Sequence, residues 1–279
     1  MTSWRTRASA ALCCAATALP GLLAAQAVPA QSELHLLAAD ASDGRALWVN
    51  PAGLARRGEA SVGAFALGDD SGGAGWRLAQ GGLQLATRGF AFGWQRDQFR
   101  SGRSGTTYVL AAGFGDARLA LGAARRWYRR ATGNTGGWDV GLHAAVASAI
   151  DVAAVWRDIG SPLVGDSVLE ETLVAGAGFT ALGRVRLSGE WHAATSGLVG
   201  RKVRAALTLD VGRGLALSAT WDFSSNARLR GVALAVQLWR RTSRFALAGR
   251  EPGAPDGARQ LGLTAMSIAP PPTRRFGGR

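Results

Sequence analysis

The sequence lacks the residues that most often build metal sites, disulfide scaffolds or catalytic centres. Its 279 residues include two cysteines, Cys13 and Cys14, three histidines and a single lysine. Two adjacent cysteines near the amino terminus exclude a disulfide scaffold. The sequence contains no metal-spaced cluster, no nucleophile elbow and no phosphate-binding loop. We therefore expect a protein that is not an enzyme and that uses no cofactor.

The residues that are abundant point to β-structure. There are 39 glycines and ten tryptophans, and 47% of the residues are hydrophobic. So much glycine is costly inside helices, and so much apolar surface excludes a disordered chain. The formal net charge is +13, almost all of it from arginine. These arginines are scattered and accompany no nucleic-acid-binding motif, so we expect no nucleic acid as a partner.

The amino terminus has the pattern of an export signal. Arg5 and Arg7 precede an apolar stretch at residues 8–25, and small residues follow it. This order predicts a cleaved signal peptide over residues 1–30, with cleavage after Ala27 as the alternative. A retained amino-terminal anchor is the other interpretation of the same segment.

From residue 58 onward the hydrophobic pattern has a period of two. Trp138, Val140 and Leu142, for example, alternate with Asp139 and His143. Because successive strand side chains point to opposite faces, this predicts strands with one apolar and one polar face. The predicted strands are 58–67, 74–86, 89–97, 105–115, 117–128, 137–147, 149–157, 170–180, 184–193, 201–210, 214–223, 228–239, 242–249 and 259–268.

The connections between these strands alternate in length. Those after odd-numbered strands are mostly long, such as residues 158–169, and those after even-numbered strands are short, such as residues 87–88. Outer-membrane barrels have short periplasmic turns and longer external loops. The pattern predicts an all-β, antiparallel transmembrane barrel of about 14 strands over residues 58–268. A secreted β-sandwich is the alternative, although it has no reason to alternate in this way.

Aromatic residues gather at one predicted level. Indole and phenol rings favour the membrane interface, where an apolar body and a polar tip are both accommodated. Only Trp239 is predicted at the opposite, periplasmic end. The predicted aromatic girdle at the external end consists of Trp76, Trp94, Tyr108, Trp127, Trp138, Trp156, Trp191 and Trp221.

Charges of both signs lie on the polar strand face, where they can pair across neighbouring strands. This face would line the lumen of a barrel. The predicted lumen-lining residues are Arg77, Arg118, Asp139, His143, Asp151, Arg157, Arg184, Arg186, Glu190, His192, Arg204, Asp210 and Asp222. His192 is predicted near the external rim, where a barrel-embedded lipase or acyltransferase would need its histidine. We disfavour this alternative.

The segment at residues 31–57 lacks the alternation of the strands. Proline fixes its own φ and restricts the preceding residue, asparagine bonds nearby backbone, and glycine permits a tight reversal. Such a segment suits a compact plug inside a barrel, although a capped turn leading into the first strand is an alternative. The residues of the predicted plug motif are Asp40, Ser42, Asn50, Pro51, Ala52 and Gly53.

With its D-A-S and N-P-A-G-L stretches, this segment resembles the amino-terminal hatch of the FadL/TodX-type outer-membrane transporters, which the PorV/PorQ-type barrels share. The resemblance implies a fourteen-stranded barrel with a plug. The chain departs from the transporters in its short external loops and in the Pro- and Arg-rich tail at residues 269–279, expected in the periplasm. A strand cannot contain such a run of prolines.

The resemblance implies a barrel that passes small hydrophobic molecules across the outer membrane of a diderm bacterium or out through the barrel wall. The alternative is a non-transporting structural or assembly barrel of the PorV/PorQ type. The expected partners are outer-membrane lipid, a small hydrophobic ligand and, during folding, the barrel-assembly machinery.

Overall fold

The computed structural model describes residues 33–71, 75–99, 102–131, 133–164, 167–254 and 257–269. The signal peptide predicted over residues 1–30 and nearly all of the predicted tail lie outside these ranges. The elements are α1 Ala46–Val49, a 3₁₀ helix Pro51–Ala55, β1 Ala60–Ser71, β2 Arg77–Thr87, β3 Phe90–Gln98, β4 Ser104–Gly115, β5 Leu119–Arg130, β6 Gly133–Ala147, β7 Ile150–Ile159, β8 Leu163–Val164, β9 Ser167–Val168, β10 Thr172–Ala181, β11 Val185–Ala194, β12 Val199–Gly212, β13 Leu215–Ser224, β14 Leu229–Arg240, β15 Ser243–Pro252 and β16 Ala258–Ala269.

Fourteen antiparallel strands close into a barrel, which confirms the predicted all-β, antiparallel barrel of about 14 strands. Each long strand pairs with its neighbours in the chain, and β1 closes the circle by pairing with β16 from Ala60–Ala269 to Ser71–Ala258. The remaining two strands, β8 and β9, form a separate two-residue hairpin within the connection from β7 to β10. Closure pairs every strand edge, so the barrel needs no other element to protect it.

The two faces of the barrel wall differ in polarity. Large apolar side chains such as Leu83, Leu121, Leu217 and Leu263 are exposed on the outside, whereas polar side chains such as Gln84 are buried within. An exterior so apolar is far beyond the single exposed residues normal for a soluble surface. Within the described residues, no helix is both long enough and apolar enough to cross a membrane.

The connections differ at the two ends of the barrel, which we call the short-turn end and the long-loop end. Six short turns join β2–β3, β4–β5, β6–β7, β10–β11, β12–β13 and β14–β15. The connection from β5 to β6 is shorter than predicted, because β5 continues to Arg130 and β6 begins at Gly133. The alternation of turn lengths otherwise follows the sequence prediction.

All eight residues of the predicted aromatic girdle lie near the long-loop end, on the outward face. Trp94 pairs directly with Tyr108, and Tyr108 pairs with Trp127 on the next strand. The row continues around the wall, because Val140, next to Trp138 on the same face of β6, pairs with Trp156. The rings therefore form a band at one height rather than isolated surface aromatics.

The described part of the amino-terminal segment, residues 33–57, runs through the barrel lumen. Most of its residues are buried, and Leu37, Ala38 and Leu47 are fully so. It contacts inward-facing groups on strands all around the wall, from Gln84 on β2 to Thr264 on β16. We refer to residues 33–57 as the lumen segment.

Candidate functional site: the lumen and its occupant

Asn50 organises the turn between α1 and the 3₁₀ helix. Its backbone is extended, and its side-chain oxygen accepts a hydrogen bond from the amide of Ala52. Its amide nitrogen donates to the carbonyls of Ala38, 3.1 Å away, and of Leu142 on β6, 3.2 Å away. Pro51 follows at the first helical position, where its missing N–H costs nothing. One fully buried side chain thus ties two parts of the lumen segment to the barrel wall.

Glycines in the wall make room for this turn. A Cβ at Gly141 would overlap the Asn50 side chain, and one at Gly122 would overlap the backbone of Pro51 and Ala52. Within the turn itself, a Cβ at Gly53 would overlap the carbonyl of Ala41. Bare backbone on both sides permits this close approach, so the glycines of β5 and β6 and the N-P-A-G-L motif form one matched contact.

Part of the lumen wall is apolar. We call the apolar part of the inward face of β1–β5 the apolar wall, where Phe65, Ala91, Val109, Ala111 and Ala124 pack against the lumen segment. The segment presents to it the buried side chains Leu36, Ala41, Ala46, Leu47, Trp48 and Leu54. Trp48 packs edge-on against Phe65, and its indole N–H donates to Gln84 at 2.8 Å.

The opposite side is charged. We call the inward face of β7 and β11–β15 the charged wall. Arg186 on β11 pairs with Asp40 of the lumen segment and, at 2.8 Å, with Asp151 on β7. Asp40 also accepts a hydrogen bond from Ser188. Arg56, at the end of the segment, pairs with Asp151 at 3.1 Å. These charges join the segment and two strands in one network.

A second network surrounds Arg204 on β12. Its guanidinium contacts Glu190 on β11 and Asp222 on β13, each at 2.9 Å. It also donates to the carbonyls of Leu34 and Leu36 in the lumen segment. Glu190 in turn accepts from the amide of Ala38 at 2.8 Å. The wall therefore satisfies backbone groups of a segment that has little secondary structure of its own.

Two further arginines hold the carboxyl-terminal end of α1. Arg157 on β7 donates to the carbonyl of Val49 at 2.6 Å. Arg126 on β5 donates to the carbonyl of Trp48 at 3.4 Å and pairs with Asp139 on β6. The carbonyls at the end of a short helix lack partners within it, and these guanidinium groups supply them.

Charged groups within the lumen segment form a third network, near the short-turn end. Arg45 pairs with Asp43 and Glu33, and Arg244 on β15 also binds Asp43. Burial alone would raise the pKa of Asp43, but Arg45 and Arg244 outweigh it and hold that pKa well below its usual range. Burial, reinforced by Arg45 and Arg204, lowers the pKa of His35 to about 3, so its ring is neutral at physiological pH.

Eleven of the thirteen predicted lumen-lining residues lie on inward positions of the strands. They are Arg77, Asp139, His143, Asp151, Arg157, Arg186, Glu190, His192, Arg204, Asp210 and Asp222. The structure differs from the prediction at Arg118 and Arg184, which are exposed in the β4–β5 and β10–β11 turns. Both were assigned to strand ends, and β5 and β11 begin one residue after them.

The structure also places charged residues in the lumen that the sequence pattern did not single out. Arg130 lies beyond the end of the predicted strand 117–128, but the structure places it in β5, where it pairs with buried Asp97 at 3.0 Å. Arg126 and Arg244 contact the lumen segment directly. Their place on the inward face follows from the period of two, which could have identified them. Trp239, predicted at the periplasmic level, lines a cavity inside the short-turn end.

The long-loop end of the lumen is also occupied. The connection between β7 and β10 carries the β8–β9 hairpin, and its Val164 and Leu169 are buried against Tyr128 of β5. Tyr128 donates a hydrogen bond to Asp158 at 3.1 Å. The longest connection at this end therefore folds inward over one side of the barrel mouth.

At the short-turn end a cavity of about 590 Å³ opens below the lumen segment. Arginines and carboxylates line it, together with Ser42 of the predicted plug motif and Trp239. Much of its charge is already paired within the third network. The lining of this cavity is rich in charged side chains, in contrast to the apolar wall.

The described residues do not assemble a catalytic or metal site around the histidines. His192 contacts Glu190 at 2.8 Å, and Glu190 is already bound to Arg204. His143 lies 3.6 Å from Asp151, which serves two arginines. Among the described ranges, no three His, Cys, Asp or Glu residues are grouped to hold a metal ion.

Solved structures of outer-membrane proteins share this architecture. A structure of the CymD monoaromatic hydrocarbon channel matches 87% of this chain and 97% of its own, at 12% identity and a TM-score of 0.54. Omp33 of Acinetobacter baumannii matches 77% of this chain and 100% of its own, at 11% identity and 0.51. The Pseudomonas putida toluene transporter TodX matches 80% of this chain and 91% of its own, at 14% identity and a TM-score of 0.48.

At these identities the likeness shows the fold, a closed barrel of the kind found in outer-membrane proteins. No protein-family model matches the sequence, and no curated protein matches it either. The comparisons therefore show the barrel fold, and the resemblance to the FadL/TodX type stays a prediction from the sequence.

Proposed function

We propose that the chain is an outer-membrane barrel whose lumen segment acts as a plug, and that it passes small hydrophobic molecules. The observation that carries the proposal is the asymmetry of the plug. One side is joined to the charged wall by ion pairs and carbonyl contacts, and the other is packed against the apolar wall.

The outer surface supports a place in the membrane. A band of exposed leucine, valine and phenylalanine side chains encircles the barrel, with the aromatic girdle at one end. Lipid-facing strands of outer-membrane barrels have this arrangement. The strands are also long enough, since about 9–11 residues span the hydrocarbon core when tilted.

The route for a hydrophobic molecule follows the contact between plug and apolar wall. Side chains such as Trp48, Leu54 and Val109 form this contact. A hydrophobic solute gains by leaving water for such a surface, whereas entry along the charged wall would separate buried ion pairs at high cost. Passage then requires the plug to move away from the apolar wall while its ionic contacts hold the other side.

A groove in the outer wall lies beside the same strands. It is lined mainly by apolar and small side chains of β1–β4, including Val62, Leu85, Phe90, Phe92 and Leu110, and has a volume of about 520 Å³. It faces the surface that we assign to lipid. A hydrophobic molecule moving outward through this part of the wall would meet an apolar environment on both sides.

The alternative function is a structural or assembly barrel that transports nothing. One observation favours it: the plug is paired with three separate strands, through Asp40, Asp43 and Arg56, while the β8–β9 hairpin occupies the other end. A plug that never leaves the apolar wall would serve such a protein equally well.

Uptake measurements separate the two functions. Cells with and without the gene are given radiolabelled toluene, a radiolabelled long-chain fatty acid and, as a polar control, labelled sucrose. Transport predicts faster uptake of at least one hydrophobic compound with the gene, and no change for sucrose. Equal uptake of both hydrophobic compounds, with the barrel present in the outer-membrane fraction, would favour the structural function.

A further inference from the structure

Arginines mark the turns at the short-turn end. Five of the six short turns carry at least one, and only the β6–β7 turn, Ser148-Ala149, has none. We call five of these residues the arginine rim: Arg88, Arg118, Arg184, Arg213 and Arg241. Because two strands separate successive hairpins, rim positions on adjacent hairpins stand about 10 Å apart around the barrel.

None of the rim arginines forms an ion pair among the described residues, and all five side chains are exposed. The one acidic residue within these turns is Asp116, whose carboxylate accepts hydrogen bonds from the backbone amides of Arg118 and Leu119. The positive charge of the rim is therefore available to an external partner.

The backbone gives an independent indication that arginine is placed here at a cost. Arg88 has φ 42° and precedes Gly89 with φ 93°, and Arg213 has φ 55° and precedes Gly214 with φ 78°. Both pairs have the left-handed backbone of two-residue hairpin turns, whose first position favours Asn, Asp or Gly. Arginine in this conformation is strained. Local turn chemistry therefore does not explain these two residues.

The rim borders the apolar exterior. Leu119, directly after Arg118, is 57% exposed, and Phe90, two residues after Arg88, is 55% exposed. On the outward face of β14, exposed Leu238 lies three residues before Arg241 of the rim. If the apolar band lies in hydrocarbon, the rim lies at the depth of the lipid headgroups.

Exposed arginines also lie at the opposite end of the barrel. Arg201 there has Glu170 at 3.0 Å and Arg259 has Glu251 at 3.1 Å, but others such as Arg103 and Arg228 form no ion pair among the described residues. The two ends differ in arrangement: the aromatic girdle marks the long-loop end, whereas at the short-turn end a single arginine stands in nearly every turn.

We propose that the arginine rim binds the headgroups of anionic phospholipids in the leaflet that the short turns face. This inference rests on the proposed place of the barrel in the membrane. Each basic residue near an anionic membrane surface is attracted to it electrostatically. The even distribution of the rim around the barrel fits a planar leaflet better than a single ligand on the barrel axis.

The test compares two variants with equal loss of charge. The rim variant replaces Arg88, Arg118, Arg184, Arg213 and Arg241 by glutamine. The control variant replaces five exposed arginines of the long-loop end by glutamine: Arg96, Arg103, Arg129, Arg228 and Arg230. Each protein is inserted into vesicles of phosphatidylcholine with and without phosphatidylglycerol, and insertion is checked by its faster migration on gels when unboiled.

Native mass spectrometry of proteins released from mixed vesicles then counts the phosphatidylglycerol retained relative to phosphatidylcholine. We expect the wild type and the control variant to retain phosphatidylglycerol preferentially. In the rim variant the ratio of retained phosphatidylglycerol to phosphatidylcholine should fall about tenfold. Soluble glycerol phosphate should not compete. Equal losses in both variants, or no preference in the wild type, would overturn the inference. Failure of all three proteins to insert would instead count against the membrane barrel.

Discussion

The apolar wall and the charged wall hold the same lumen segment by different means. On the charged wall, arginines reach carboxylates and carbonyls of the segment, as Arg186 reaches Asp40 and Arg204 reaches Leu34. On the apolar wall, the segment is held mainly by the packing of Trp48 and Leu54 among small side chains and glycines. Strand pairing is antiparallel and continuous behind both.

The difference teaches how the lumen segment, the proposed plug, can be held on one side of the barrel and still move away from the other. Buried ion pairs depend on exact partners, and removing one partner leaves an uncompensated charge. Apolar packing is non-directional, so another apolar group can replace the contact that is lost. The proposed function therefore requires a hydrophobic molecule to replace contacts of the lumen segment on the apolar wall and not on the charged wall.

The largest effect is expected from removing the plug. Deleting residues 34–52 leaves a fourteen-stranded barrel whose lumen is wider than one that side chains can fill. We expect the deleted protein to remain heat-modifiable on gels and to conduct ions strongly in planar bilayers, while the intact protein conducts little. A folded deletion variant that is as closed as its parent would show that residues 33–57 are not the plug.

On the charged wall, Arg204→Met should destabilise the folded barrel by about 3–5 kcal/mol, because Glu190 and Asp222 lose a buried partner. Urea unfolding in vesicles measures the change. The control on the same strand is Arg201→Met, which breaks only an exposed pair with Glu170 and should cost less than about 1 kcal/mol. Equal costs would remove the distinction between buried and exposed pairs.

The outward face of the barrel sets a third expectation. Leu142 lies outward and near the middle of the wall, so Leu142→Arg should cost about 2–4 kcal/mol in a bilayer. Leu119→Arg, at the short-turn end of β5, should cost about 0–1 kcal/mol. Both are measured by unfolding in vesicles, and a reversed order would place the membrane at a different height. An inward Arg at Gly141 is no suitable control, since it would overlap Asn50.

The smallest effect concerns the close approach on the apolar wall. In Gly122→Ala the new methyl group meets the backbone of Pro51 and Ala52, and overpacking of this kind costs about 1–3 kcal/mol. The matched variant is Gly249→Ala, where a Cβ has nothing within 4 Å. Proteolysis of the plug should accelerate in the first variant only. Unchanged protection in Gly122→Ala would mean that this contact is loose.

The sequence predicted the barrel well because its strongest signal, a hydrophobic period of two, is local. The predicted strands match the observed ones within a few residues, and the alternating connections distinguish the two ends. The observed strands begin or end a few residues from the predicted positions, so Arg118 and Arg184 lie in turns rather than in the lumen, and Arg130 lies within β5 rather than beyond it. The hydrophobic period of two predicts which face of the barrel wall a residue occupies, but not the residue at which strand pairing ends.

The contacts of the lumen could not be predicted in the same way. Arg204 and Leu34 are separated by 170 positions, and their meeting depends on how a segment without periodicity crosses a closed barrel. The N-P-A-G-L motif indicated a compact turn. The glycines that receive it, Gly122 and Gly141, carried no signal of their own among 39 glycines. Only the three-dimensional structure shows that motif and glycines match.

A reversible tether tests the central claim, that the plug must leave the apolar wall for hydrophobic molecules to pass. A Cβ at Gly113 would lie 3.2 Å from that of Leu54, close to the ~3.5–4.5 Å of a disulfide, and 2.9 Å from the carbonyl oxygen of Pro51, so the turn must shift slightly to accept it. The sequence after Cys14 contains no cysteine, so the two introduced cysteines have no native competitor there. In cells carrying Leu54→Cys with Gly113→Cys, uptake of labelled toluene should stop on oxidation and return on reduction, while both single variants stay active. Uptake that is the same in the oxidised and reduced states would contradict the account.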